Sequence, residues 1–247
     1  MTSETIIFIL LGSAAGGFIN GLAGFGTALF ALGFFLNVMS PIQAVAMSVA
    51  LSVISGLQGV WLVRNTMLDN KRRLMRFLLP GIIGIPIGVT ALSYISADSL
   101  KIIIAVFLIA YGGYFSLRSN LPQIDRKTPI VDGTIGFLGG FLGGMASLSG
   151  ALPTMWCSMR TLSKMETRAV LQPFNVVVLL LTTLMLAWRG AYTIQTLTYL
   201  LIALPSTMIF AQIGITVFKR LSNDHFRRLL IVMTFLAGII LIIRTLI

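Results

Sequence analysis

Charged residues, cysteine and histidine are all scarce in this chain, and each shortage excludes a class of function. Only 10% of the residues are charged, where a soluble domain carries about 25%. The single cysteine, Cys157, excludes an internal disulfide and a cysteine-built metal cluster. The single histidine, His225, lies in a charged loop, so a histidine-built zinc site or acid–base enzyme lacks its parts. No metal, no catalytic group and no cofactor is therefore expected. Acids are rarer still. All seven (Glu4, Asp69, Asp98, Asp125, Asp132, Glu166 and Asp224) lie at or beyond the ends of apolar runs. A cation or proton pump usually holds a carboxylate within the membrane. The centre of this chain is neutral or positive, which suits an anion.

What the chain does have is hydrophobic length. Of its 247 residues, 57% are hydrophobic, and apolar runs separated by short basic patches cover the whole of it. This predicts an all-α, polytopic membrane protein without a soluble domain. Glu4 stands where a cleavable signal would carry basic residues. The net charge of +11 sits in the loops, as the positive-inside rule requires, so nucleic acid is not expected as a partner. The lipid bilayer is.

Eight apolar segments follow in order: Thr5 to Leu36, Ile42 to Val63, Phe77 to Ile95, Ile102 to Leu117, Ile130 to Met159, Ala169 to Trp188, Leu197 to Phe218 and Leu229 to Ile243. The polar stretch 118–129 divides them into a first repeat, 1–117, and a second, 130–247. Gly17, Phe18, Gly21, Ala23, Ala28 and Leu29 recur without a gap 123 positions later as Gly140, Phe141, Gly144, Ala146, Ala151 and Leu152. Ser96, Asp98, Lys101, Gly88 and Gly112 match Ser222, Asp224, Arg227, Gly214 and Gly238 at an offset of 126. Such duplication is typical of secondary transporters.

Charge sets the orientation. Fifteen of the eighteen basic residues fall in four clusters, Arg64 to Arg76, Arg118 to Lys127, Arg160 to Arg168 and Lys219 to Arg228. If every run crossed once, two clusters would face each side, against the positive-inside rule. The conflict disappears if the first run of each half is a re-entrant hairpin of short or half-length helices. Each is about 30 residues, where one crossing needs about 20 and two need about 40. All four clusters then face the cytoplasm, 118–129 becomes a cytoplasmic linker, and the halves are inverted repeats with both termini outside. Eight simple crossings remain the alternative, because hydropathy alone counts eight runs.

The hairpin tips are Gly24-Phe25-Gly26-Thr27 and Ser147-Leu148-Ser149-Gly150, expected to approach each other at mid-membrane. Beyond each a helix restarts, and a helix start offers free N–H groups and about half a positive charge. Two starts facing one point would form an anion site, with Asn20, Thr27, Ser147 and Ser149 as neutral donors. The competing reading is that the glycines only allow close packing, as Gly17-x-x-x-Gly21 and Gly140-x-x-x-Gly144 are expected to do. Ser48, Ser52, Ser55 and Gly59 share one helical face, and Asn175, the repeat partner of Ser52, opens the sixth run with Gln172 and Pro173. These are candidates to line the path or to pack. Arg168, at the start of the sixth run, is either an attractor of anions or a positive-inside anchor.

The stretches GGFINGLAGFGTAL, SPIQAVAMS, GGFLGGMASLSGALP and SKMETRAVLQPFN resemble the TauE/SafE sulfite exporter family, also called the toluene sulfonate uptake permease (TSUP) family. The resemblance covers nearly the whole chain. Within the family's glycine-rich pattern, Ser147-Leu148-Ser149-Gly150 replaces two glycines by serines. The resemblance implies a multi-pass protein of a bacterial-type inner (cell) membrane whose substrate is sulfite, a sulfonate or a related sulfur-containing anion. The reading is thus a transporter of a small anion by alternating access, not an enzyme. Its rivals are an anion channel or facilitator and a non-transporting membrane subunit of an enzyme complex.

Overall fold

The computed structural model describes residues 3–116, 124, 128–222, 225, 235, 239 and 243. Among the described residues the chain is all-helical, with nine helices: α1 Ser3–Ala23, α2 Thr27–Phe35, α3 Pro41–Asp69, α4 Lys71–Leu92, α5 Ala97–Ser116, α6 Pro129–Ala146, α7 Ala151–Ser158, α8 Lys164–Trp188 and α9 Ile194–Arg220. Six of them (α1, α3, α4, α6, α8 and α9) are long and apolar enough to cross a membrane. The protein is a multi-pass integral membrane protein. The expected linker and last apolar run, Leu229 to Ile243, fall almost wholly outside the described residues.

Local chemistry starts the helices. Pro41 takes the first position of α3, where its missing N–H costs nothing, and Ser40 forms a capping box with Gln43. Ser163 forms the equivalent box with Glu166 at the start of α8, 123 positions later. The apolar run Thr5 to Leu36 is interrupted at Gly24 and Gly26, whose φ angles of 83° and 92° suit glycine. α2 then folds back along α1, with Phe34 beside Phe8 at 6.4 Å between ring centroids. The second break falls at Ser147, in the left-handed region at φ 58°. α7 folds back along α6, so that the Trp156 indole N–H donates to Asp132 at 2.7 Å.

The arms of each hairpin are unequal, which differs from the expected pair of short helices. α1 has 21 residues against 9 in α2, and α6 has 18 against 8 in α7. At 1.5 Å per residue the outgoing arm is long enough to span, and the return arm reaches only about 13 Å. The capping boxes at Ser40 and Ser163 restart the chain soon after each return arm ends.

Each hairpin packs on the other half of the chain. α1 lies on α9, and a Cβ at Gly17 or Gly21 would overlap the backbone of Thr207 or Ala211. α6 lies on α4, where a Cβ at Gly140 or Gly144 would overlap the backbone of Gly81 or Ile85. The crossings correspond residue for residue. Gly214 abuts the Phe18 carbonyl, and Gly88 abuts the Phe141 carbonyl. The small residues therefore bring backbones into contact, as expected of a small-xxx-small crossing.

The described basic residues Arg76, Arg160 and Lys164, from two of the clusters, gather at one end. Arg160 donates to the Ile124 carbonyl at 3.2 Å, Arg76 lies 3.8 Å from Asp132, and Lys164 donates to the Leu221 carbonyl at 2.8 Å. At the other end Arg189 reaches back to the end of α4, donating to the Val89 carbonyl at 3.1 Å and to Thr90 Oγ1 at 2.9 Å. Exposed Trp188 and Tyr94 flank it, as amphipathic rings do at a membrane interface. The turn before α9 is pinned by Tyr192, whose hydroxyl donates to the Ala46 carbonyl at 2.9 Å. Burial pushes its phenol up to about 12, so it keeps this proton at ordinary pH.

Candidate functional site

The two tips meet. A Cβ on Gly150 would collide with Phe25, so the second tip rests directly on the first. Gly24, Phe25, Gly26, Thr27, Ser147, Leu148, Ser149 and Gly150 are all buried. Around them pack α3 and α8, the helices that follow the two hairpins. Gly24 lies against the Gln172 carboxamide and the Arg168 stem on α8.

Hydrogen bonds tie this junction together on both sides. Asn20 on α1 donates to the Ser52 carbonyl at 3.1 Å and to Ser55 Oγ at 2.6 Å, both on α3. Ser149 donates to Asn175 Oδ1 on α8. Gln172 donates to the Gly56 carbonyl at 3.2 Å, joining α8 to α3. The structure thus brings Asn20, Ser52, Asn175 and both tips to one place. Gln172, which the sequence offered beside Asn175 as a residue to line the path or to pack, lies here too.

Several polar groups here have no protein partner. The side-chain atoms Thr27 Oγ1, Ser48 Oγ, Ser52 Oγ, Ser147 Oγ, Asn20 Oδ1 and Asn175 Nδ2 are buried without a hydrogen bond among the described residues. A buried polar group left unpaired is costly, and these six lie on adjoining elements. Five can donate: four hydroxyls and one amide. Ser147 carries a second cost, because a serine at positive φ is strained by about 1 kcal/mol or more. Strain and an unpaired hydroxyl thus coincide on one residue of the second tip.

Arg168 supplies the charge. It is 2% exposed. Its guanidinium donates to the carbonyls of Gly21 at 2.8 Å and Leu22 at 3.3 Å, and to Gln172 Oε1 at 3.2 Å. It also stacks over Phe218 at 4.3 Å. None of its hydrogen-bond partners among the described residues is a carboxylate. Gly21 and Leu22 carry carbonyls of the last turn of α1, the negative end of that helix dipole. Arg168 thus sets a positive charge against that end. At the second tip the last α6 carbonyls are satisfied by backbone instead: Ser147 N–H donates to Gly143 at 2.9 Å and Leu148 N–H to Leu142 at 3.1 Å.

The fold and this junction define a class: a multi-pass helical membrane protein whose two broken hairpins meet over a buried polar site. One protein-family profile, described as Sulfite exporter TauE/SafE, matches residues 8–241. The chain belongs to that family. It is a family of transporters, not enzymes, and it implies a membrane carrier of the sulfite or anion exporter type. No curated protein and no solved structure matches the chain.

Proposed function

We propose that the protein moves a small sulfur oxyanion, sulfite or a small sulfonate, across a cell membrane of the bacterial inner-membrane type. The anion sits between the tips, held by Thr27, Ser52, Ser147 and Asn175 and by the starts of α2 and α7. Arg168 balances its charge from behind the first tip. Asn20 Oδ1 adds an acceptor, which suits an oxyanion that still carries a proton, such as hydrogensulfite. The observation that carries this reading is the set of unpartnered buried donors beside a buried guanidinium with neutral partners. An anion completes both the hydrogen bonding and the charge.

Transport follows from two inverted repeats, 1–117 and 130–247, rocking around that site. Each hairpin packs on the opposite half, which supports coupling each tip to the other repeat. The gathering of Arg76, Arg160 and Lys164 at one end supports placing that end in the cytoplasm.

The test is a thermal-shift screen of the purified protein against sulfite, sulfate, thiosulfate, taurine, isethionate and sulfoacetate, followed by flux in vesicles. A ligand of the folded state at a hundred times its Kd stabilises by about 2.7 kcal/mol. Sulfite or a small sulfonate is expected to raise the Tm and to show saturable flux with counterflow. No shift with any of the six, and no flux, overturns the reading.

A further inference from the structure

The two arms of the second hairpin are joined at their open end by one carboxylate. Asp132, in the first turn of α6, is only 4% exposed. Its Oδ1 accepts from the Trp156 indole of α7 at 2.7 Å and from Arg160 just beyond α7 at 3.3 Å. Its Oδ2 faces Arg76 of α4 at 3.8 Å. Arg160 also stacks over Trp156 at 4.7 Å and donates to Thr128 Oγ1. A single side chain thus holds α4, α6 and the end of α7 together. A carboxylate buried this deeply persists only when paired, so the junction depends on its arginines.

Among the described residues, no carboxylate is shown joining the arms of the first hairpin in this way. Its residues 123 positions earlier are Ile9, Gly33 and Asn37. Ile9 is buried in the apolar core, and the Asn37 amide bonds back to its own helix at Gly33 and Phe34. That end is closed by the Phe8–Phe34 pair and by Phe35 on Gly12. One hairpin is closed by apolar contact, the other by ions.

Arg76 is the loose member of the ionic closure. It stands beyond hydrogen-bond distance of Asp132, and its side chain is 37% exposed. An oxyanion approaching from this side meets Arg76 first and competes with the carboxylate for it. We infer that Asp132 is a latch on the second hairpin, and that an oxyanion opens it by drawing Arg76 and then Arg160 away from the carboxylate. The latch stands on its own geometry. Only the identity of the anion that uses it in transport rests on the function proposed above.

The chain carries a reporter for this. Cys157, its sole cysteine, adjoins Trp156 on α7 and is 1% exposed. The experiment measures the rate of its alkylation by iodoacetamide in the full-length purified protein, in sodium sulfate or in sodium chloride at equal ionic strength. The wild type is expected to react slowly in chloride and severalfold faster in sulfate. Asp132→Asn is expected to react at least tenfold faster than wild type in both salts, with no remaining difference between them. Asp132→Glu, which keeps the charge, is expected to recover the slow rate and the sulfate response. A loosened helix end without a latch would speed labelling but would not abolish the difference between the salts. Wild-type labelling in Asp132→Asn, or equal wild-type rates in the two salts, overturns the inference. Should Asp132→Asn not fold, Arg76→Gln at the exposed side replaces it, and a full sulfate response in that variant overturns the inference equally. None of these readouts needs transport, so failure of the latch and failure of the proposed function are separate results.

Discussion

The two hairpins share a backbone and differ in chemistry. Each breaks at a residue in the left-handed region, Gly24 in one and Ser147 in the other, at equivalent positions. Each has a long outgoing arm, a short return arm and a close crossing onto the opposite half of the chain. Yet the first tip is glycine-rich and capped by a buried arginine, while the second carries serines and is capped by its own backbone. The two hairpins keep the same path of the chain, which the crossings cannot change without collision. Side chains at the tips and open ends are free of that constraint, and there the two hairpins differ.

The shared part breaks hardest. Gly21→Val and Gly140→Val each force a side chain into the facing helix backbone, at Ala211 and Gly81. Both are expected to abolish recovery of folded protein, equally, as judged by a monodisperse peak on size exclusion. A fold that tolerated one and not the other would show that the two crossings are not equivalent.

The charge asymmetry comes next. Arg168→Met removes the guanidinium bonded to the end of α1, and anion binding by thermal shift is expected to weaken by a hundredfold or more, about 2.7 kcal/mol. Arg168→Lys is expected to recover little, because an ammonium cannot span the carbonyls that the planar fork reaches. Binding that survives Arg168→Met would move the positive centre of the site elsewhere.

Ser147→Gly gives the second tip the residue of the first. Relief of the strained φ is expected to stabilise the protein by about 1 kcal/mol, while loss of the hydroxyl weakens anion binding by a similar amount. Stability and binding moving in opposite directions is the signature to look for. A variant that becomes more stable and binds as well as wild type would reduce Ser147 to a packing residue.

The smallest effects separate the hydroxyls. Thr27→Val removes an unpartnered group, so it is expected to leave the Tm without anion unchanged and to weaken binding about fivefold, or about 1 kcal/mol. Ser149→Ala breaks an existing bond to Asn175. It is expected to lower stability by about 1 kcal/mol and to affect binding less.

Composition and local pattern determined a great deal. The apolar runs and the paired helix breaks are written in stretches of a few residues, because crossing a membrane and leaving a helix are local demands on the chain. The tips, Asn20, Ser52 and Asn175 were legible for the same reason, as polar or glycine positions inside apolar runs. Whether a charge at the end of such a run faces water or another helix is not a local property. Arg168 and Asp132 read alike in the sequence, as charges at run ends. Only the tertiary structure set Arg168 on the carbonyls of α1, 146 and 147 positions away, and joined Asp132 to Trp156, Arg160 and Arg76. Both charges are stable in burial through partners that folding brings together from distant parts of the chain, which no window of sequence contains.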